Sequence, residues 1–354
     1  MLTRIRRIYK VMNMTVKERF LKYVKYETTS DENSGTCPST AGQKVLLNEL
    51  KNELQTMGIA AKIDDYGYVT AVIPATKSGL KRICFISHVD TSPAVSGRNV
   101  NPQFVNYNGG DIILKNGIKI SLEENPYMSK YIGKELIVTD GETLLGADDK
   151  AGVAEIMSAA EILANDKSIA HGDVLIAFTP DEEIGRGTDM FDVKAFGADF
   201  GYTVDGGELG GIEYENFNAA SATLTVNGVS IHPGSAKNVM KNAIDLFAEF
   251  HSLLPVWERP AHTENYEGFY MADEVTGGVE KLVAKYIIRD HDRGKFADKK
   301  RYFAKISDFL NDKYGNGTFV ADIRDSYYNM SEIISENYHL IDNAVKAMKD
   351  AGVE

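Results

Sequence analysis

The stretch Ser221-Ala222-Thr223-Leu224-Thr225-Val226 alternates apolar Ala222, Leu224 and Val226 with polar Ser221, Thr223 and Thr225. Side chains on an extended chain point alternately to opposite faces, so this alternation predicts a half-buried strand. Downstream, Asn238–Leu253 reads as a helix, Gly268–Val275 and Lys281–Asp290 as strands around Gly277-Gly278, Lys299–Tyr314 as a helix, and Thr318–Ile323 as a strand. The order β-α-β-β-α-β is the ferredoxin-like unit. It marks residues 216–328 as a small domain inserted into a larger one.

Upstream the pattern differs. Thr40–Met57 places Leu46, Leu47, Leu50, Leu54 and Met57 on one helical face, and Gly58 supplies a stop. Val16–Tyr26 also has helical periodicity. Apolar strands are predicted at Tyr68–Ile73, Arg82–Ser87, Glu135–Val138, Val174–Thr179 and Tyr202–Val204, with a helix over Lys150–Ala164. This alternation predicts an α/β layer with a mostly parallel sheet, whose chemistry sits in loops at the carboxyl ends of its strands. The expected organisation is a larger domain over 14–215, the inserted domain over 216–328, and a returning segment over 329–354 that opens on a helix, Glu332–Gly352.

At 354 residues the chain is long enough for two domains. A net charge of −12 argues against a nucleic-acid partner, and no apolar run is long enough to span a bilayer. Two cysteines, Cys37 and Cys84, do not make a disulfide framework, which points to a reducing, cytoplasmic location. Residues Met1–Asn13 carry Arg4, Arg6, Arg7 and Lys10 without the apolar core of a secretory signal. The expectation is an extension, with Met14 as the native start; an Arg-rich transit peptide is the alternative.

Four acidic or histidine clusters follow apolar strands. In His88-Val89-Asp90, residues i and i+2 share a face, so the carboxylate can orient the imidazole; alone, such a triplet is an ordinary strand end. In Gly146-Ala147-Asp148-Asp149-Lys150, one aspartate can cap the helix while the other projects into a site. Asp181-Glu182-Glu183 is either a solvated turn or a pairing of metal ligand with general base. Asp205-Gly206-Gly207 is, taken alone, an acidic turn. Each has a bland structural explanation, but four in this order, each after a strand, point to a metal site.

The set His88, Asp90, Asp148, Asp149, Glu182, Glu183 and Asp205 resembles the two-zinc metallopeptidases that include carboxypeptidase G and succinyl-diaminopimelate desuccinylase. The strings Leu144–Gly152, Ile231-His232-Pro233-Gly234, Ile287-Ile288-Arg289-Asp290 and Asp325–Met330 resemble, within that family, the peptidase T group of aminotripeptidases. The likeness runs from about Met14 to the end.

The resemblance implies a zinc-exopeptidase catalytic domain with a ferredoxin-like lid. His88 and Asp205 would bind one zinc and Glu183 the other, with Asp148 bridging them. Asp90 would orient His88, and Glu182 would take the proton of the attacking water. His232 would stabilise the oxyanion, and Arg289 would hold a substrate carboxylate; Asn216 and Asn218 are weaker substrate candidates. The implied partners are a small peptide substrate and a second copy of the chain, paired through the lid. Zinc suits the mixed His/carboxylate donors, with cobalt or manganese able to substitute.

Relatives continue beyond this point with an Arg-Gly-Gly-Thr-Asp-Gly-like motif and a last histidine completing the second zinc site. None of the seven histidines here has that context, His339 included. The expectation is therefore a truncated chain that binds one zinc better than two and is poorly active. A related dipeptidase, an N-acyl amino acid deacylase, or an inactive peptide-binding fragment are the competing readings.

Overall fold

The computed structural model describes residues 13–353. The extension expected before Met14 lies, except for Asn13, outside the described residues. Two compact units meet in the chain at Gly207 and Glu208.

In the first unit, helix α1 (Val16–Tyr23) starts on a capping box. The Thr15 hydroxyl accepts the Glu18 N–H, and the Glu18 carboxylate accepts the Thr15 N–H. Helix α2 (Ala41–Thr56) buries Leu46, Leu47, Leu50 and Leu54. Strands β1 (Ala60–Ile63), β2 (Val69–Ile73) and β3 (Ile83–His88) precede helix α3 (Ala147–Asn165). Strands β4 (Val174–Thr179) and β5 (Phe200–Thr203) follow.

The sheet order is β1-β2-β4-β3-β5. Strand β3 lies parallel to both β4 and β5, whereas β2 is antiparallel to β1 and β4. The parallel pairing expected for the sheet is thus confined to the three strands that lead into three of the four clusters, those of His88, Glu182 and Asp205. The antiparallel share comes from the β1–β2 hairpin, closed by a tight turn in which Asp64 accepts the Tyr66 and Tyr68 N–H groups. Strand β4 is buried along its whole length, which is why Val174–Thr179 reads as an unbroken apolar run. Because β3, β4 and β5 run the same way, the segments after His88, Thr179 and Thr203 leave from one edge of the sheet.

The second unit holds strand β6 (Asn218–Asn227), helix α4 (Ala243–Leu253), strands β7 (Phe269–Gly277) and β8 (Lys281–Asp290), helix α5 (Arg293–Tyr314) and strand β9 (Phe319–Tyr327). Every pairing is antiparallel and the order is β7-β8-β6-β9, the ferredoxin-like arrangement. Ala222, Leu224 and Val226 enter the core with Phe250, Tyr286, Phe303 and Phe319, while Ser221, Thr223 and Thr225 take the other face.

Two helix starts and one helix interior differ most from expectation, each for a local reason. Helix α5 starts six residues before Lys299 because Asp292 caps it, accepting the Lys295 N–H at 2.8 Å. Helix α4 starts at Ala243, where Asn242 caps it, after Asn238 takes a positive φ of 62°. The expected helix over Glu332–Gly352 divides into α6 (Ser331–Glu336) and α7 (His339–Ala351). At the break the Asn337 amide donates back to the Ile333 carbonyl at 2.9 Å. Among the described residues no helix is long and apolar enough to cross a membrane.

Phe303 is fully buried, with its ring 4.9 Å from Phe250 and 5.1 Å from Tyr286. Phe303→Ala is expected to destabilise the second unit by about 3–5 kcal/mol, read as a lower denaturant midpoint.

Candidate metal centre

Asp90 is fully buried two residues beyond the end of β3, and its carboxylate joins two loops. One oxygen accepts from His88 Nδ1 at 3.2 Å and from the Glu182 N–H at 3.0 Å. The other accepts from the Glu183 N–H at 3.1 Å. The i, i+2 geometry predicted for His88 and Asp90 is therefore present. With Nδ1 held by Asp90, Nε2 is turned outward.

Nε2 faces carboxylates. Asp148 Oδ1 lies at 2.9 Å, Glu182 Oε2 at 3.8 Å and Asp205 Oδ2 at 3.8 Å. Among the described residues, His88, Asp148 and Asp205 are the one His/Cys/Asp/Glu group with three donor atoms within 4.8 Å of one another. Glu183 shares the field of Asp148, Asp90 and Glu182, and it lines a cavity of about 420 Å³ with Ser30, Asp31 and Ser92.

Neither aspartate of the Asp148-Asp149 pair caps α3, contrary to one half of the sequence reading. Both have non-helical backbone angles, and Gly146 is the N-cap, without a side-chain bond. Asp148 projects towards His88 with its side chain 64% exposed. Asp149 turns inward, accepting from the Ser87 hydroxyl and, at 3.1 Å, from the His88 N–H. It fixes the end of β3, a role with no sequence signal beyond its neighbour's. Lys150 was also missed: it is buried and donates to the Tyr26 carbonyl at 2.8 Å. Burial pushes its ammonium down to about 8, against the pull of Asp90.

The acids strain one another. Burial, followed by neighbouring carboxylates, raises Glu182 and Glu183 above the ordinary glutamate range. Burial also raises Asp205, and it takes Asp149 to about 8. Burial alone would lower His88, but Asp90, Asp149 and Asp205 outweigh it and push the imidazole up to about 10. A site that accumulates carboxylates around one imidazole lacks a positive charge. A divalent cation on Nε2 and the facing oxygens would relieve this, so the donor set fits such an ion.

His232 and Arg289 belong to the second unit. His232 is exposed on the turn after β6, and its Nδ1 accepts from the Gly234 N–H at 3.1 Å, which leaves the proton of the neutral ring on Nε2. Arg289, on β8, packs its guanidinium over the Tyr327 ring at 5.4 Å. The Asn218 amide is used internally: it donates to the Asp290 and His291 carbonyls and accepts the Asn329 N–H. Asn216 accepts the Met330 N–H at 2.8 Å.

In the metal-free protein His88 is protonated at neutral pH, and a cation on Nε2 must displace that proton. Apparent affinity for a divalent cation should therefore rise with pH up to about 10. At pH 7, titration calorimetry in buffers of different ionisation enthalpy should show at least about one proton released per site filled. Uptake without proton release would contradict this.

Residues 214–318 match the family described as a peptidase dimerisation domain. The chain is 54% identical over 344 residues to peptidase T of Caldanaerobacter subterraneus subsp. tengcongensis, covering 96% of this chain and 84% of that protein. Its fold is similar to an aminopeptidase PepT from Bacillus cereus, with a TM-score of 0.67 at 22% identity over 89% of this chain and 76% of that one. It is also similar to a tripeptidase from Staphylococcus aureus, with a TM-score of 0.68 at 19% identity over the same shares. With 54% identity over nearly its whole length, the chain belongs to the peptidase T family.

Proposed function

We propose that the protein is a zinc-dependent aminopeptidase that releases the N-terminal residue of tripeptides. The observation that carries this reading is the convergence of His88, Asp148, Asp205 and Glu182 at the carboxyl edge of three parallel strands. Three protein donors with open access suit a catalytic zinc. His88, Asp148 and Asp205 would hold one ion, and Asp148 with Glu183 would hold a second. When bound, zinc supplies a Lewis acid that polarises the scissile carbonyl and makes water a competent nucleophile at neutral pH.

The chain's own groups do the rest. Glu182, raised by burial and by its acidic neighbours, takes the water's proton and delivers it to the leaving amine. Asp90 keeps His88 in one orientation and holds the Glu182–Glu183 turn by its amides. The Nε2–H of His232 donates to the developing oxyanion, and Arg289 receives the substrate carboxylate. Residues 14–215 form the catalytic domain and 216–328 a lid that also pairs two copies, a role supported by the dimerisation-domain match over 214–318. A cytoplasmic location is supported by two cysteines, both free.

Glu182→Gln should lower kcat on a free tripeptide by about 10²–10⁴-fold while zinc still binds, measured by ninhydrin or chromatographic assay beside metal analysis. Unchanged turnover in Glu182→Gln would defeat the reading. Dipeptides and N-acylated peptides should be poor substrates; preference for them would favour the dipeptidase or deacylase reading.

A further inference from the structure

Asp181 immediately precedes the two glutamates, and no role in the chemistry above uses it. Its side chain is fully buried, yet it is a carboxylate in the left-handed region, with φ of 58°. A non-glycine residue there is uncommon and persists only where its surroundings hold it. Here they do. The carboxylate accepts from the Ser39 N–H at 2.7 Å, the Ser39 hydroxyl, and Gln43 Nε2 at 2.7 Å. The Asp181 N–H donates back to Gln43 Oε1 at 3.1 Å. Gln43 is itself fully buried on α2.

The same hydroxyl of Ser39 accepts the Asp31 N–H at 3.0 Å, and Asp31 lines the cavity beside Glu183. The Asp181 carbonyl accepts the Arg186 N–H at 2.9 Å, and the Arg186 guanidinium bonds the Ser34 and Thr36 carbonyls. The turn carrying Glu182 and Glu183 is therefore anchored twice: by its amides on Asp90, and through Asp181 on the 31–43 segment.

We infer that Asp181 is a positioning residue, setting through Ser39 and Gln43 the backbone from which Glu182 and Glu183 reach the metal centre. The inference rests on the reading of Glu182 as general base. Asp90 alone holds two adjacent amides, which leaves the turn free to pivot about them. The positive φ locked at Asp181 removes that freedom and couples the turn to the cavity wall. A base displaced by 1 Å can cost about 100-fold in rate, so such an anchor acts on kcat.

The test uses the full chain loaded with zinc to wild-type stoichiometry. Asp181→Asn keeps a residue tolerant of positive φ but sets an amide donor against the Gln43 donor. It should lower kcat about 10- to 100-fold with KM within about threefold. In the metal-free chain, hydrogen exchange of the Glu182 and Glu183 amides should quicken by about tenfold or more, while that of β6 and β8 stays unchanged. Exchanging the roles in Asp181→Asn/Gln43→Glu, which restores a donor–acceptor pair and the charge, should recover most of both effects. Ser39→Ala, a milder change, should shift both readouts in the same direction by about threefold. Wild-type kcat, or unchanged exchange at Glu182 and Glu183, in Asp181→Asn or in Ser39→Ala would overturn the inference. Glu182→Gln is the control: if it stays active the general-base reading fails, and if it is inactive while Asp181→Asn turns over normally only the positioning role fails.

Discussion

The structure of the site depends on the Asp90 carboxylate. It is fully buried, and it is satisfied by three donors from two loops: the His88 imidazole and the Glu182 and Glu183 amides. A buried carboxylate without partners is costly, so these bonds form together or not at all. One group thus orients the imidazole at the end of β3 and holds the turn after β4. The parallel pairing of β3 and β4 brings the two within reach: His88 sits directly opposite Thr179 in the ladder.

Around that anchor the chain gathers more negative charge than it neutralises. Asp148, Asp205 and Glu182 face one imidazole nitrogen, and Asp149 lies buried behind it. The buried cation next in sequence, Lys150, is turned to the Tyr26 carbonyl and is itself weakened by burial. This imbalance explains why His88 holds its proton so firmly and why the carboxyls lie above their usual range. The acidity of this cluster favours a divalent cation.

The second unit is stabilised by different means. A cluster of Phe250, Tyr286, Phe303 and Phe319 fills the space between its sheet and its two long helices. Its polar care is spent where β6 begins and β9 ends. There the Asn218 and Asn329 side-chain amides donate to the Asp290 and His291 carbonyls, and Asn218 Oδ1 accepts the Asn329 N–H. Asn218, which the sequence offered as a substrate contact, is committed to this network.

Local pattern was enough for the elements. Alternation in Ser221–Val226, the apolar run Val174–Thr179 and the leucine face of Thr40–Met57 each depend on neighbours along the chain, so they can be read without a fold. The four clusters were legible for the same reason, since three follow a strand directly and the Asp148-Asp149 pair opens a helix, ends that the chain itself marks. Helix starts at Asp292 and Asn242, and the break at Asn337, were misjudged because one side-chain bond decided each. What only the tertiary structure decided is pairing: which strands lie parallel, which oxygen of Asp148, Asp205 or Glu182 meets His88 Nε2, and that Asp149, Asp181, Gln43 and Lys150 are buried. These partners lie up to 142 residues apart, as Ser39 and Asp181 do. Nothing in either segment identifies the other, because the bond exists only once the sheet and α2 have packed.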